Sequence, residues 1–158
     1  MELISDNWDV IFRLAAALIL GGVLGLEREF AGKMAGLRTY SLISVGSALF
    51  VIVSQLVSEN FIGVTVFDPL RVASQIVVGV GFVGAGLVIF REVEHRPGGI
   101  TTAAGLWVSA GIGMASGFGL YSVAVFGTIA ALFILWILAF ADRKIREKAE
   151  RDENKVRG

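Results

Sequence analysis

The 158-residue chain is 55% hydrophobic before its 20 glycines are counted, and its 14 Lys and Arg balance 14 Asp and Glu. A neutral chain whose charges cluster between long apolar runs offers no basic nucleic-acid face. The lack of cysteine excludes disulfides and thiolate metal sites. Apolar runs of this length mark membrane spans, so the expected class is an all-α polytopic membrane protein with five transmembrane helices. The expected organisation is a membrane domain over residues 1–142 and a charged cytoplasmic tail over 143–158.

The first nine residues carry no Lys or Arg. A cleavable signal peptide would begin with a positive region, so span 1 is expected to act as its own insertion signal. Span 1 is read as Val10–Leu26, interrupted by Arg13, which can snorkel to the interface. Gly21-x-x-x-Gly25 on this span lets another helix approach closely. A charged loop with Glu27, Arg28 and Arg38 leads to span 2, Tyr40–Val57. Its Ser41, Ser44 and Ser47 can bond to neighbouring helices. Span 3 opens at Asp68-Pro69, an N-cap followed by a proline pre-set for the first helical position. Arg71 and Gln75 share a face with Ser74 beside them. This span runs to Phe90 and contains Gly79, Gly81, Gly84 and Gly86. Pro97, Gly98 and Gly99 break the chain before span 4, Ile100 to about Gly117, which holds Thr101, Thr102, Trp107, Gly113 and Gly117. Span 5 is Leu120–Phe140.

The loops after spans 1 and 3 and the tail together hold 12 of the 14 Lys and Arg. The positive-inside rule then puts the N-terminus outside and the tail in the cytoplasm. The stretch R-L-A-A-A-L-I-L-G from Arg13 resembles R-V-A-S-Q-I-V-V-G from Arg71. G-L-R-T at 36–39 is echoed by G-I-T-T at 99–102. The pattern suggests that helices 1–2 and 3–4 are parallel repeats, with the spacing differing by a few residues between the halves. Such repeats commonly place a site at their interface.

Gly79, Gly81 and Gly84 match a dinucleotide-binding fingerprint by letters only, because they lie mid-span where no strand precedes them. They read as packing or bending glycines, together with Gly21, Gly25, Gly86, Gly113 and Gly117. A charge inside a span is costly and usually meets a partner or a cavity. Arg13, Asp68, Arg71, Ser74 and Gln75 therefore form a candidate polar pocket or pathway, with Arg71 either holding an anion or making a structural bond. A second candidate cluster lies at the cytoplasmic side: Glu27, Arg28, Arg38, Thr39, Thr101, Thr102 and Trp107. No mid-membrane acid, metal-hydrolase motif or nucleophile–base pattern is present, so neither an enzyme, a cofactor nor a metal site is expected.

Several stretches resemble the membrane domain of the MgtC/SapB family: G-L-E-R-E at 25–29, G-L-R-T at 36–39, and D-P-x-R with its Gln at Asp68, Pro69, Arg71 and Gln75. G-x-G-F-x-G-A-G at 79–86 and G-I-T-T-A-A-G-L-W at 99–107 also match. They fall in the family's order and are jointly specific. The resemblance implies an inner-membrane protein tied to growth under low Mg²⁺. It implies action through another membrane complex, with the ATP synthase as partner, and ties a second branch to acid tolerance. Virulence-type members carry a soluble C-terminal domain, whereas only about 18 residues follow span 5 here. Two readings follow. A regulator acting by protein contact predicts a dry interior and an exposed small-residue groove at Gly113-x-x-x-Gly117. A small ion or solute transporter predicts a cavity between helices 1 and 3, lined by Arg71 and Gln75. A structural homo-oligomer is a third possibility.

Overall fold

A computed structural model describes residues 2–59, 68–93 and 99–140, and within them the chain is five helices and no strand. They are α1 (Glu2–Phe30), α2 (Leu37–Glu59), α3 (Pro69–Val93), α4 (Ile100–Gly117) and α5 (Tyr121–Phe133). A π-helical stretch, Ile134–Leu138, continues α5. Four segments are long and apolar enough to cross a membrane: Asn7–Phe30, Leu37–Ser58, Leu70–Ile89 and Tyr121–Leu138. Large apolar side chains such as Phe12, Leu42, Phe82, Phe126 and Trp136 point outward. Outward apolar surface of this extent is what a bilayer solvates. The expected tail, with Lys144 and its neighbours, and the loop residues Glu94, His95 and Arg96 lie outside the described residues.

The helix at the centre is α4, the shortest of the first four. It touches α1, α2, α3 and α5, while among the described residues α3 touches only α2 and α4. Composition explains this placement. Along I-T-T-A-A-G-L-W-V-S-A-G-I-G-M-A-S-G the side chains are small, so neighbouring backbones can close in. A Cβ on Gly117 would lie 2.8 Å from the Ala48 carbonyl oxygen, and one on Gly113 would collide with the Ser44 backbone. The α2–α4 seam therefore excludes any larger residue at those positions. Gly113 and Gly117 are buried in this seam, which corrects the expectation that they line an exposed groove.

Helix ends follow local rules. Gly32, at φ 64°, closes α1 with a Schellman pair of bonds, Lys33 N–H to the Arg28 carbonyl and Gly32 N–H to the Glu29 carbonyl. Gly119, at φ 75°, closes α4 in the same way. Asp68 caps α3 as expected, its carboxylate accepting the Leu70 N–H at 2.9 Å. The α1 and α2 boundaries run beyond those read from hydropathy. Asn7, Asp9, Glu27 and Arg38 are polar but lie on helical turns that continue past the apolar run.

The neighbour pattern is unchanged when α1–α2 is exchanged with α3–α4. Both pairs are in contact, α1 meets α4 as α3 meets α2, and α1 does not meet α3. One constant offset of 63 positions relates the halves, pairing Gly21 with Gly84, Leu24 with Leu87, Arg28 with Arg91, Glu29 with Glu92, Gly36 with Gly99 and Thr39 with Thr102. One helix contact matches this register. Gly21 packs closest against Ser44 and next against the Tyr40 carbonyl, while Gly84 packs against Ala103, the position that the offset assigns to Tyr40. In this register Arg13 pairs with Ile76, not with Arg71.

Candidate functional site

Polar side chains gather at two places, one at each end of the α2–α4 seam. At the first end, Arg13 is the hub. Its Nη2 pairs with Asp9 Oδ2 at 2.6 Å, one helical turn earlier. Its Nη1 donates to Gln55 Oε1 of α2 at 2.8 Å and to the Gly117 carbonyl of α4 at 2.9 Å. That carbonyl belongs to the last turn of α4, where helical carbonyls lack intrahelical donors and a cation is favoured. One guanidinium thus ties three helices. Its Nε is the one buried side-chain nitrogen or oxygen among the described residues that has no partner.

Arg71, Ser74 and Gln75 do not join this hub. All three are exposed on α3, and the Ser74 hydroxyl donates to the Arg71 carbonyl of its own helix at 2.7 Å. The expected polar pocket therefore separates into an Arg13 clamp and an outward-facing α3 start. The reason is topological: α2 and α4 lie between α1 and α3, so no cavity can be shared by the facing sides of helices 1 and 3.

At the other end, Arg28 is almost fully buried, at 3% exposure, and pairs with its neighbour Glu27. Its Nη2 donates to Glu27 Oε1 at 2.6 Å. Burying an arginine is costly unless its charge is met, and Glu27 meets it. The Tyr40 phenol lies in the field of both groups. It donates to the Thr102 carbonyl at 3.3 Å and occupies the space left by the absent side chain of Gly105. Glu29 accepts the Leu37 N–H at 3.0 Å, satisfying the start of α2, and packs over Gly36. From the expected cluster, Glu27, Arg28 and Thr102 converge here. Thr39 is half-buried, while Arg38, Thr101 and Trp107 are exposed.

Between the two ends the seam is polar but closed. Ser44 donates to the Ala17 carbonyl of α1 and Ser109 to the Tyr40 carbonyl of α2, at 2.8 and 2.9 Å. Ser47, Ser54 and Ser116 donate to carbonyls of their own helices. Among the packing glycines, Gly21, Gly25, Gly84, Gly113 and Gly117 make close helix contacts. Gly79, Gly81 and Gly86 face open space. Among the described residues there is no group of three or more His, Cys, Asp or Glu that could hold a metal ion.

Sequence reasoning missed Asp9, Gln55, Tyr40 and Ser109. Asp9 was findable, because it stands four residues before Arg13, the spacing of a helical ion pair. The others act across helices, at sequence separations that no periodicity signals.

The sequence profile of the MgtC family matches residues 14–144. The Escherichia coli K12 protein named "Putative magnesium transporter YhiD" is 45% identical over 132 residues, covering 80% of this chain and 59% of that protein. "Protein MgtC" of Brucella abortus strain 2308 is 48% identical over 126 residues, covering 80% of this chain and 48% of the relative. An uncharacterized Haemophilus influenzae protein is 35% identical over 153 residues, 95% of this chain and 64% of its own. The chain thus spans about half to two thirds of the length of these relatives. No solved structure matches. With the profile covering four of the five helices in full, α1 from residue 14 onward and the Arg28–Tyr40–Thr102 cluster, the chain is a multi-pass membrane protein that belongs to the MgtC family.

Proposed function

We propose that this protein supports growth under magnesium limitation by contacting another complex in the bacterial inner membrane, not by conducting ions or by catalysis. The observation that carries this reading is the commitment of its interior polar groups. The buried serines of the seam give their hydroxyls to backbone carbonyls, Arg28 is held by Glu27, and Arg13 by Asp9, Gln55 and Gly117. Polar groups spent on structure are not available to replace an ion's hydration shell. The link to magnesium rests on family membership and on the name of the Escherichia coli relative. The ATP synthase is the partner that the resemblance implies, and the Lys and Arg distribution supports an N-terminus outside and a cytoplasmic tail.

The same relative's name favours a second reading, magnesium transport. Reconstitution separates the two. Mg²⁺ and H⁺ flux into proteoliposomes should match that of protein-free vesicles, while the same chain should restore low-Mg²⁺ growth to a strain lacking its own MgtC-family member. Flux above the vesicle background that falls on Arg13→Ala or Arg71→Ala would establish transport and sink the contact reading.

A further inference from the structure

Outside both polar clusters lies a cleft of about 520 Å³ between α1 and the start of α5, lined by Asp9, Phe12, Ala15, Ala16, Ile19 and Tyr121. That volume falls within the range of small-ligand sites, about 300–1,000 Å³. Positions 9, 12, 16 and 19 follow helical spacing, so they form a stripe down one face of α1. The stripe begins with a carboxylate and continues as phenylalanine, alanine and isoleucine. Asp9 and Tyr121 both stand in the first turn of their membrane-spanning segments, Asn7–Phe30 and Tyr121–Leu138. The cleft therefore has a polar mouth at headgroup depth and an apolar body at acyl-chain depth.

We propose that this cleft binds a phospholipid with a primary ammonium headgroup. Charge complementarity selects the headgroup. The cationic neighbour, Arg13, is already turned to Asp9 Oδ2, Gln55 and the Gly117 carbonyl, so it is not presented to an anionic lipid. Asp9 is half exposed, and Arg13 pairs with its Oδ2. A carboxylate is an acceptor at both oxygens, so Oδ1 can take an N–H from an ammonium group. Tyr121, which also lines the cleft and is exposed, has a hydroxyl that can donate to the lipid phosphate. A trimethylammonium headgroup has no N–H to give, and a glycerol headgroup leaves the lipid anionic beside Asp9. The small Ala15 and Ala16 leave room for an acyl chain between Phe12 and Ile19.

Native mass spectrometry of the purified protein tests this. The probe is an equimolar mixture of phosphatidylethanolamine, phosphatidylcholine and phosphatidylglycerol with the same acyl chains. Phosphatidylethanolamine should be retained over each of the others by about tenfold, the scale of one charge-assisted hydrogen bond. Asp9→Asn should reduce that ratio to near one. Ala16→Leu fills the cleft without touching the ion pair and should lower retention of phosphatidylethanolamine to the same extent. Equal retention of the three lipids by the unaltered chain, or undiminished phosphatidylethanolamine on Ala16→Leu, would overturn the assignment.

Discussion

Arg13 shows how one side chain can set the position of three helices. Its two terminal nitrogens spread to Asp9, Gln55 and the end of α4, a fork that lysine, with a single nitrogen, cannot reproduce. Arg13→Ala leaves the Gln55 amide and the Gly117 carbonyl without this donor and Asp9 without its cation. The expected loss is about 2 kcal/mol, the scale of a hydrogen bond to a charged group, because the Asp9 end of the pair is half exposed and adds little. Arg13→Lys should recover less than half of it. Thermal unfolding of both variants in detergent checks this, and a stability equal to that of the unaltered chain would show the clamp to be ornamental. The presence of Arg13 in a span was legible as a costly charge in need of partners. Two of those partners were not, since Gln55 and Gly117 lie 42 and 104 positions away along the chain.

At the scale of elements, the contrast is between glycines that pack and glycines that do not. The sequence places G-x-x-x-G or similar spacings on α1, α3 and α4 alike, and letters alone do not rank them. Burial ranks them. Only 11% of the α3 span window is buried, against 33% for α2, so Gly79, Gly81 and Gly86 have no neighbour to admit. Gly113 and Gly117, by contrast, hold α4 directly against α2. Gly81→Ala should therefore be neutral or stabilising by up to about 1 kcal/mol, the helix-propensity difference between the two residues. Gly113→Leu should destabilise by about 3 kcal/mol or abolish folding, because the seam backbone cannot yield. Parallel melts of the two variants measure both, and a Gly113→Leu protein as stable as Gly81→Ala would contradict the seam. Five helices were legible because apolar runs bounded by charges and by Pro or Gly define spans directly. The centrality of α4 was not legible, since the same small residues that bring helices together also lower the hydropathy that marks a span. A reading led by motifs gives most weight to α3, with its capped polar start and its glycines, and among the described residues the structure places α3 at the edge.

For the whole molecule, the question is whether two helix pairs related by 63 positions behave as one unit used twice. The register predicts more than a neighbour pattern. The five residues 94–98 correspond to 31–35, Ala-Gly-Lys-Met-Ala, and each segment runs from an Arg-Glu dipeptide plus one residue to a Gly-Leu or Gly-Ile start of the next helix. If the halves are equivalent, the second connection should tolerate the first. Grafting Ala-Gly-Lys-Met-Ala onto residues 94–98 should leave a monodisperse protein whose melting temperature stays within a few degrees. The short turn already closes α1 through Gly32 with ordinary Schellman geometry, so the graft brings its own helix stop. The absence of cysteine makes a second test direct. Lys33→Cys and Arg96→Cys, paired by the offset, should react with a membrane-impermeant maleimide only after the cytoplasmic face is opened. Asn7→Cys and Leu120→Cys should react in intact cells. The expectation follows from the positive-inside rule, because the segments 31–35 and 94–98 each carry a Lys or Arg. Labelling of Lys33→Cys and Arg96→Cys from opposite sides would rule out a parallel repeat outright. A graft that prevents folding would leave the shared topology standing but would remove the 63-residue register that pairs Gly21 with Gly84.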